Sequence, residues 1–258
     1  MKSATLATLA SIALSASLTT QVWAQAVDPA ATKMLQQMTD YLGNLAAYSV
    51  HTQNTLEHQL DSGQRIDEDI SVSMTLSRPD KLQSKRLGGL IIQAFYYDGK
   101  TLTLNNQNEN VYATEKAPGT IEEMLDYARE SLGLVIPASD LVYRNAYTLL
   151  MQDVISATVV GKAAINGKTC NHLAFSRPDV DFQVWVAEGS QPLPCKYVVT
   201  DKSTPALIST TSVMSNWNVK PSVSGSSFSF VPAKGTTKVT FMPLDASSGQ
   251  ANESGASK

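Results

Sequence analysis

The stretch RIDEDISVSMTLSRP, Arg65 to Pro79, decides how the rest of the chain is read. Ile66, Ile70, Val72, Met74 and Leu76 alternate with Arg65, Asp67, Asp69, Ser71, Ser73, Thr75 and Ser77. A period of two with one apolar and one polar side belongs to a long antiparallel strand, wet on one face and packed on the other. Glu68 is the exception in the apolar row. A carboxylate there is either paired or neutral in the interior, or it lies at a wet strand end. Pro79 closes the strand.

Outward from this strand the same period continues. Residues 48–60 alternate ahead of a turn at Asp61-Ser62-Gly63, and further strands are expected at 81–86, 90–97, 101–105 and 110–114. Asp98-Gly99 is read as a two-residue primed hairpin turn and the run Asn105 to Asn110 as a looser one. Residues 28–45 form a helix with Asp28 as cap and Pro29 in the first turn. Between Pro118 and Val154 the period becomes 3.6. Thr120 and Glu123 form a capping box, and a second helix follows Ser139 or Asp140. Strands resume at 154–161, 162–166, 169–176, 180–187, 195–200 and 207–216, with further ones at 226–231 and 237–241. The fold class is mainly β with helices (α+β). Some ten strands in meander order curl into a barrel or part of one, with the helices available to fill it.

The first residues look like an export signal: Lys2, an apolar run from Ala4 to Leu18, then QVWAQA, with cleavage expected after Ala24. No cysteine stands near that cut, so a lipid anchor there is not expected. The expected organisation is a signal peptide (1–24), one domain (25–243) and a disordered tail (244–258) in a periplasmic protein. No later stretch is apolar for long enough to form a transmembrane segment. With 20 basic and 23 acidic residues and a net charge of −3, the chain lacks the basic face that nucleic acid requires.

Two cysteines in an exported chain favour a bridge between Cys170 and Cys195. Ideal strand spacing puts them two strands apart, about 9–10 Å, beyond the usual reach of about 7 Å. The residues leave the bridged and free forms both open. Two cysteines and three histidines without metal-type spacing give no metal site, and no cofactor is expected. Serine-hydrolase, zinc-protease and phosphate-loop motifs are absent, so an enzyme is not expected. His51 falls on a polar face, His58 shares the apolar face with Leu56 and Leu60, and His172 is structural.

Four segments carry a family resemblance. MTLSRPDKL (Met74 to Leu82) resembles the strand ending in Arg-Pro of the outer-membrane lipoprotein carrier (LolA/LolB-like) superfamily. FYYDGKTLTLNNQNENVYA (Phe95 to Ala113) resembles its Asp-Gly-Lys hairpin. CNHLAFSRPDVDFQVWVAEGSQPLPCKYVVT (Cys170 to Thr200) and FSFVPAKG (Phe228 to Gly235) are similar to a related group of predicted periplasmic proteins of unassigned function. The resemblance implies an incomplete antiparallel β-barrel, a half-barrel whose concave face is covered by the N-terminal helix and the mid-chain helical insert. It also implies an apolar cavity for a lipid or a lipoprotein acyl chain, and Arg78 as a latch on the lid. The inward residues of the strands are then the expected cavity lining: Leu56, Ile70, Val72, Met74, Leu76, Ile92, Leu102, Leu104, Leu173, Phe175, Phe182 and Val184. A carrier or sensor of lipid is one expectation; a scaffold that docks an envelope protein partner, without lipid cargo, is the other.

Overall fold

The computed structural model describes residues 27–88, 92–117, 119–134 and 136–241. The expected signal peptide and tail lie outside these residues. Helix α1 (Pro29–Asn44) begins where the Asp28 carboxylate accepts a hydrogen bond from the Ala30 N–H. Six antiparallel strands follow: β1 (Ala47–Gln59), β2 (Arg65–Ser77), β3 (Lys81–Leu87), β4 (Gln93–Tyr97), β5 (Thr101–Asn106) and β6 (Val111–Lys116). Next come α2 (Ile121–Glu130), a 3-10 turn at Ser139–Leu141 and α3 (Ala146–Met151). The second series is β7 (Ser156–Ile165), β8 (Lys168–Ser176), β9 (Val180–Ala187), β10 (Pro194–Asp201) and β11 (Ser209–Asn218), with a three-residue β12 (Thr237–Val239).

These strands form one open sheet in the order β12-β6-β5-β4-β3-β2-β1-β11-β10-β9-β8-β7. Two meanders are therefore joined through the pairing of β1 with β11, where Thr52 faces Met214 and Asn54 faces Ser212. The result is the expected β-dominated half-barrel. β6 lies near one end of the sheet and β7 at the other, so the connection between them has to cross the sheet. That connection contains α2, the 3-10 turn and α3. Its N-terminus is set by the expected capping box, in which the Thr120 hydroxyl accepts from the Glu123 N–H and the Glu123 carboxylate from the Thr120 N–H.

Several expectations are corrected. The strands expected at 154–161 and 162–166 are one, Ser156–Ile165, in which Val160 is left unpaired as a bulge between Val159, opposite Leu173, and Gly161, opposite His172. Residues 226–231 are not a strand. They contain a 3-10 turn (Gly225–Phe228), followed by Phe230, whose ring packs against Tyr96 and Tyr112. The Asp98-Gly99 turn is not a two-residue one. Tyr97 pairs with Leu102, and the Asp98 carboxylate accepts from the N–H groups of Lys100 and Thr101.

The cysteines are bridged, with Cα atoms 6.9 Å apart. Ideal spacing fails here because Cys195 sits in a bulge. Pro194 pairs with Val186 and Lys196 with Trp185, so β10 closes towards β8 just where β9 ends. The bridge is buried with Trp185 in a small cluster on the outer face, where Trp185 stacks on His172 at 4.0 Å. Trp185 is thus structural.

The bridge closes a loop with a sequence separation of 25. In the chain-entropy picture this contributes about 3 kcal/mol. The double variant Cys170→Ala/Cys195→Ala is expected to lose roughly that amount in a urea melt, with a somewhat larger m-value because the uncrosslinked unfolded chain exposes more surface. A change below about 1 kcal/mol would contradict the entropy assignment.

Candidate functional site

The register of the sheet arranges the concave face in rows. Tyr48, Leu76, Leu82 and Tyr97 are cross-strand neighbours in succession and all are buried. The next row is Val50, Met74, Ser84, Phe95 and Leu104. The third is Thr52, Val72, Arg86 and Gln93. Further towards the hairpin tips stand Asn54 beside Ile70 and Leu56 beside Glu68. The face is apolar near α2 and polar towards the tips.

Helices divide this face into two unequal parts. Over β7–β9, α1 packs directly on the strands and against α3. Leu35, Met38, Leu150, Leu173, Phe175, Phe182 and Val184 are buried there in one core, with Phe175 and Phe182 stacked at 4.7 Å. Burial of each large side chain contributes about 1.5–3 kcal/mol. Over β1–β5 the cover is α2, Leu134 and residues 136–142, and a hollow remains. It is open on one side and its volume is about 140 Å³. Leu42 of α1, Leu125 of α2, and Leu134, Ile136, Leu141 and Val142 form its roof. The floor includes Tyr48, Val50, Met74, Leu82 and Phe95, and Thr52, Asn54, Ser84, Arg86 and Gln93 stand towards the polar end.

The expected lining residues are distributed accordingly. Ile70, Val72, Met74 and Leu104 line the hollow. Leu76 and Leu102 are fully buried in the core that continues from it. Leu173, Phe175, Phe182 and Val184 belong to the part filled by helices. Leu56 is half-buried and outside the lining. Ile92 is 37% exposed and takes no part. Met214 and Trp217 of β11 were not expected, because only the β1–β11 pairing brings them to the hollow. Val50 and Tyr48 were legible: they share the phase of Leu56 in β1.

Polar contacts fasten the roof. The Arg78 side chain is 1% exposed; it donates to Glu122 Oε1 of α2 at 3.0 Å and to the Val142 carbonyl at 2.6 Å. The Arg144 N–H also donates to Glu122 Oε1, at 3.1 Å. Burial draws the Arg78 guanidinium below its usual pKa, against the pull of Tyr48 and Glu122. On the other side of the roof, the Tyr197 hydroxyl donates to Asp140. Within the roof, Tyr143 donates to Asp126 at 2.7 Å. Gly43 permits α1 to lie against this segment: a Cβ there would stand 2.8 Å from the Arg144 carbonyl oxygen.

Glu68 is near the strand end and is also paired. Arg86 Nη2 donates to its Oε1 at 2.6 Å, and His58 Nε2 lies 3.4 Å from Oε2. His58 is exposed at this rim and not interior, because its strand has by then run past the cover. His51 contacts Ser73, Ser71 and Gln53. His172 contacts Gln183 at 2.8 Å. Among the described residues no group of three or more His, Cys, Asp or Glu could hold a metal, and no helix is long and apolar enough to cross a membrane.

The fold is thus a half-open sheet roofed over an apolar recess. The chain belongs to the family described as predicted periplasmic protein (DUF2092), which matches residues 31–242. This agrees with the likeness of Cys170–Thr200 and Phe228–Gly235 to a group of predicted periplasmic proteins. No curated protein matches the chain by sequence. Among solved structures, LprF from Mycobacterium bovis is similar at 14% identity and a TM-score of 0.49, covering 77% of this chain and 97% of that one. An uncharacterized conserved protein from Thermus thermophilus is similar at 8% identity and 0.47, covering 82% and 99%. The lipoprotein LppX from Mycobacterium tuberculosis is similar at 16% and 0.40, covering 76% and 100%. These are likenesses in the course of the chain.

Asp140 provides a pH test of the roof. Burial raises its pKa above 3.8, against the opposing pull of Arg129, Arg177 and the Tyr197 hydroxyl. A carboxyl raised on folding favours the native state while protonated and loses that advantage as pH rises through its folded value. Asp140→Asn keeps an acceptor for Tyr197 and removes the charge. The variant is therefore expected to be the more stable at pH 7–8, with the difference shrinking as pH falls towards about 4. Thermal melts across that range check the sign.

Proposed function

We propose that this is a periplasmic, non-catalytic binding protein that holds an acyl chain beneath α2, Leu134 and residues 136–142. It acts as carrier or sensor, with Arg78 as the latch. The observation that supports this reading is the unfilled apolar hollow under a roof joined to the sheet by polar contacts. Each acyl CH₂ transferred there contributes about 0.8 kcal/mol. Met74 and Met214 at the wall suit chains of differing shape. Export with cleavage after Ala24 belongs to the same proposal, and N-terminal sequencing of the mature protein tests it.

The size of the hollow favours the second reading, an envelope scaffold that docks a protein partner without lipid cargo. The volume of about 140 Å³ is close to a cavity of about 150 Å³ that admits benzene, and ligand pockets usually reach about 300–1,000 Å³. A full acyl chain enters only if the roof lifts. Reading the hollow as the closed state of a lipid site therefore makes lifting part of the function.

Solvent extraction of protein purified from the periplasm, followed by lipid mass spectrometry, separates the two. A stoichiometric acyl species is expected; empty protein bound to one stable protein partner would favour the scaffold. Met74→Trp, which projects bulk into the hollow, should abolish binding of a fluorescent acyl probe while costing about 1–3 kcal/mol. Arg78→Met should speed hydrogen exchange across 121–142 by roughly tenfold or more, with β1 and β2 little changed. Uniform exchange in the variant would rule out a latch.

A further inference from the structure

We infer that the hollow receives a single-chain amphiphile tail first, and that Arg86 takes its oxyanion headgroup, a carboxylate or a phosphate. The inference rests on the acyl-binding reading and supplies the polar end of that ligand. Arg86 lies in the third row of the concave face, opposite Val72 on one side and Gln93 on the other. Both neighbours line the hollow with it. The two rows nearer α2 are almost wholly apolar, so a tail runs that way and a head stops at this row.

The guanidinium is held but not saturated. Glu68 takes Nη2 through Oε1 and directs Oε2 towards His58. Arg86 Nε is shielded from solvent and has no hydrogen-bond partner among the described residues. Buried donors ordinarily have an acceptor. Arg78 and Arg177 share this property, but of the three only Arg86 belongs to the wall of the hollow. Its side chain is 25% exposed, which places it at the mouth and within reach of an incoming head. Guanidinium pairs with carboxylate and phosphate oxygens through adjacent N–H groups, a geometry an uncharged alcohol cannot match. Glu68 limits the gain, because its own carboxylate repels the ligand's.

The test is displacement of a fluorescent acyl probe from the delipidated full-length mature protein by palmitate, palmitoyl lysophosphatidate and hexadecanol. At least one anion should compete about tenfold or more better than hexadecanol, and the order of the two identifies carboxylate or phosphate. Arg86→Gln should bring that anion to within about twofold of the alcohol and leave the alcohol itself unchanged. Glu68→Gln should tighten the anion. Equal competition by acid and alcohol in the parent protein, or a preference that survives Arg86→Gln, overturns the headgroup assignment and leaves the acyl site standing. If no compound binds, both readings fail.

Discussion

The structure depends on a constraint of connectivity: β1 pairs with both β2 and β11. That double pairing fuses two meanders into one sheet and sends β6 and β7 to opposite ends of it. The chain between them has no short route. It must traverse the concave side, and its amphipathic segments bury their apolar stripes on the way. The cover over the hollow follows from strand order before any specific contact is made.

The two ends of this crossing differ in how they are secured. Near β7, α3 meets α1 and the strands below in a continuous hydrophobic core. Near β6, α2 buries Ile121, Met124, Leu125 and Ala128 in the same core, and directional polar contacts are added, chiefly Arg78 with Glu122 and the Val142 carbonyl. Dense packing resists displacement by its many small contacts. A few charged hydrogen bonds can be exchanged for others as a group. The directional contacts thus stand on the side of the crossing that covers the hollow.

Much of this was readable in the chain. The alternation of 65–77 and the Thr120–Glu123 box express local chemistry, and local chemistry survives into the fold. Arg78 was accessible only through the Arg-Pro resemblance, since a charge before a proline says nothing by itself. The expected lining is divided by the fold: Ile70, Val72, Met74 and Leu104 border the hollow, whereas Phe175 and Phe182 are packed beneath α1. Which half is filled depends on pairings such as Asn54 with Ser212, hydrogen bonded at 2.6 Å across 158 residues, and no period records that. The cysteine distance was misjudged because a bulge breaks ideal spacing. Arg86 was visible as an interruption of the inward phase after Leu82 and Ser84, yet its partner Glu68 emerged only from the register.

The last stretch of chain has a different consequence. After β11 it crosses the outer face, seats Phe230 between Tyr96 and Tyr112, and adds β12 in parallel to β6. Three residues of backbone cover the first half of β6 at that border. At the opposite border the Val160 bulge interrupts β7, and Val27 bridges Ala157. Short, broken margins make poor templates for a foreign strand. A broad unclosed sheet thus has its borders guarded against stacking edge to edge into fibres, so its curvature can remain open without inviting polymerisation.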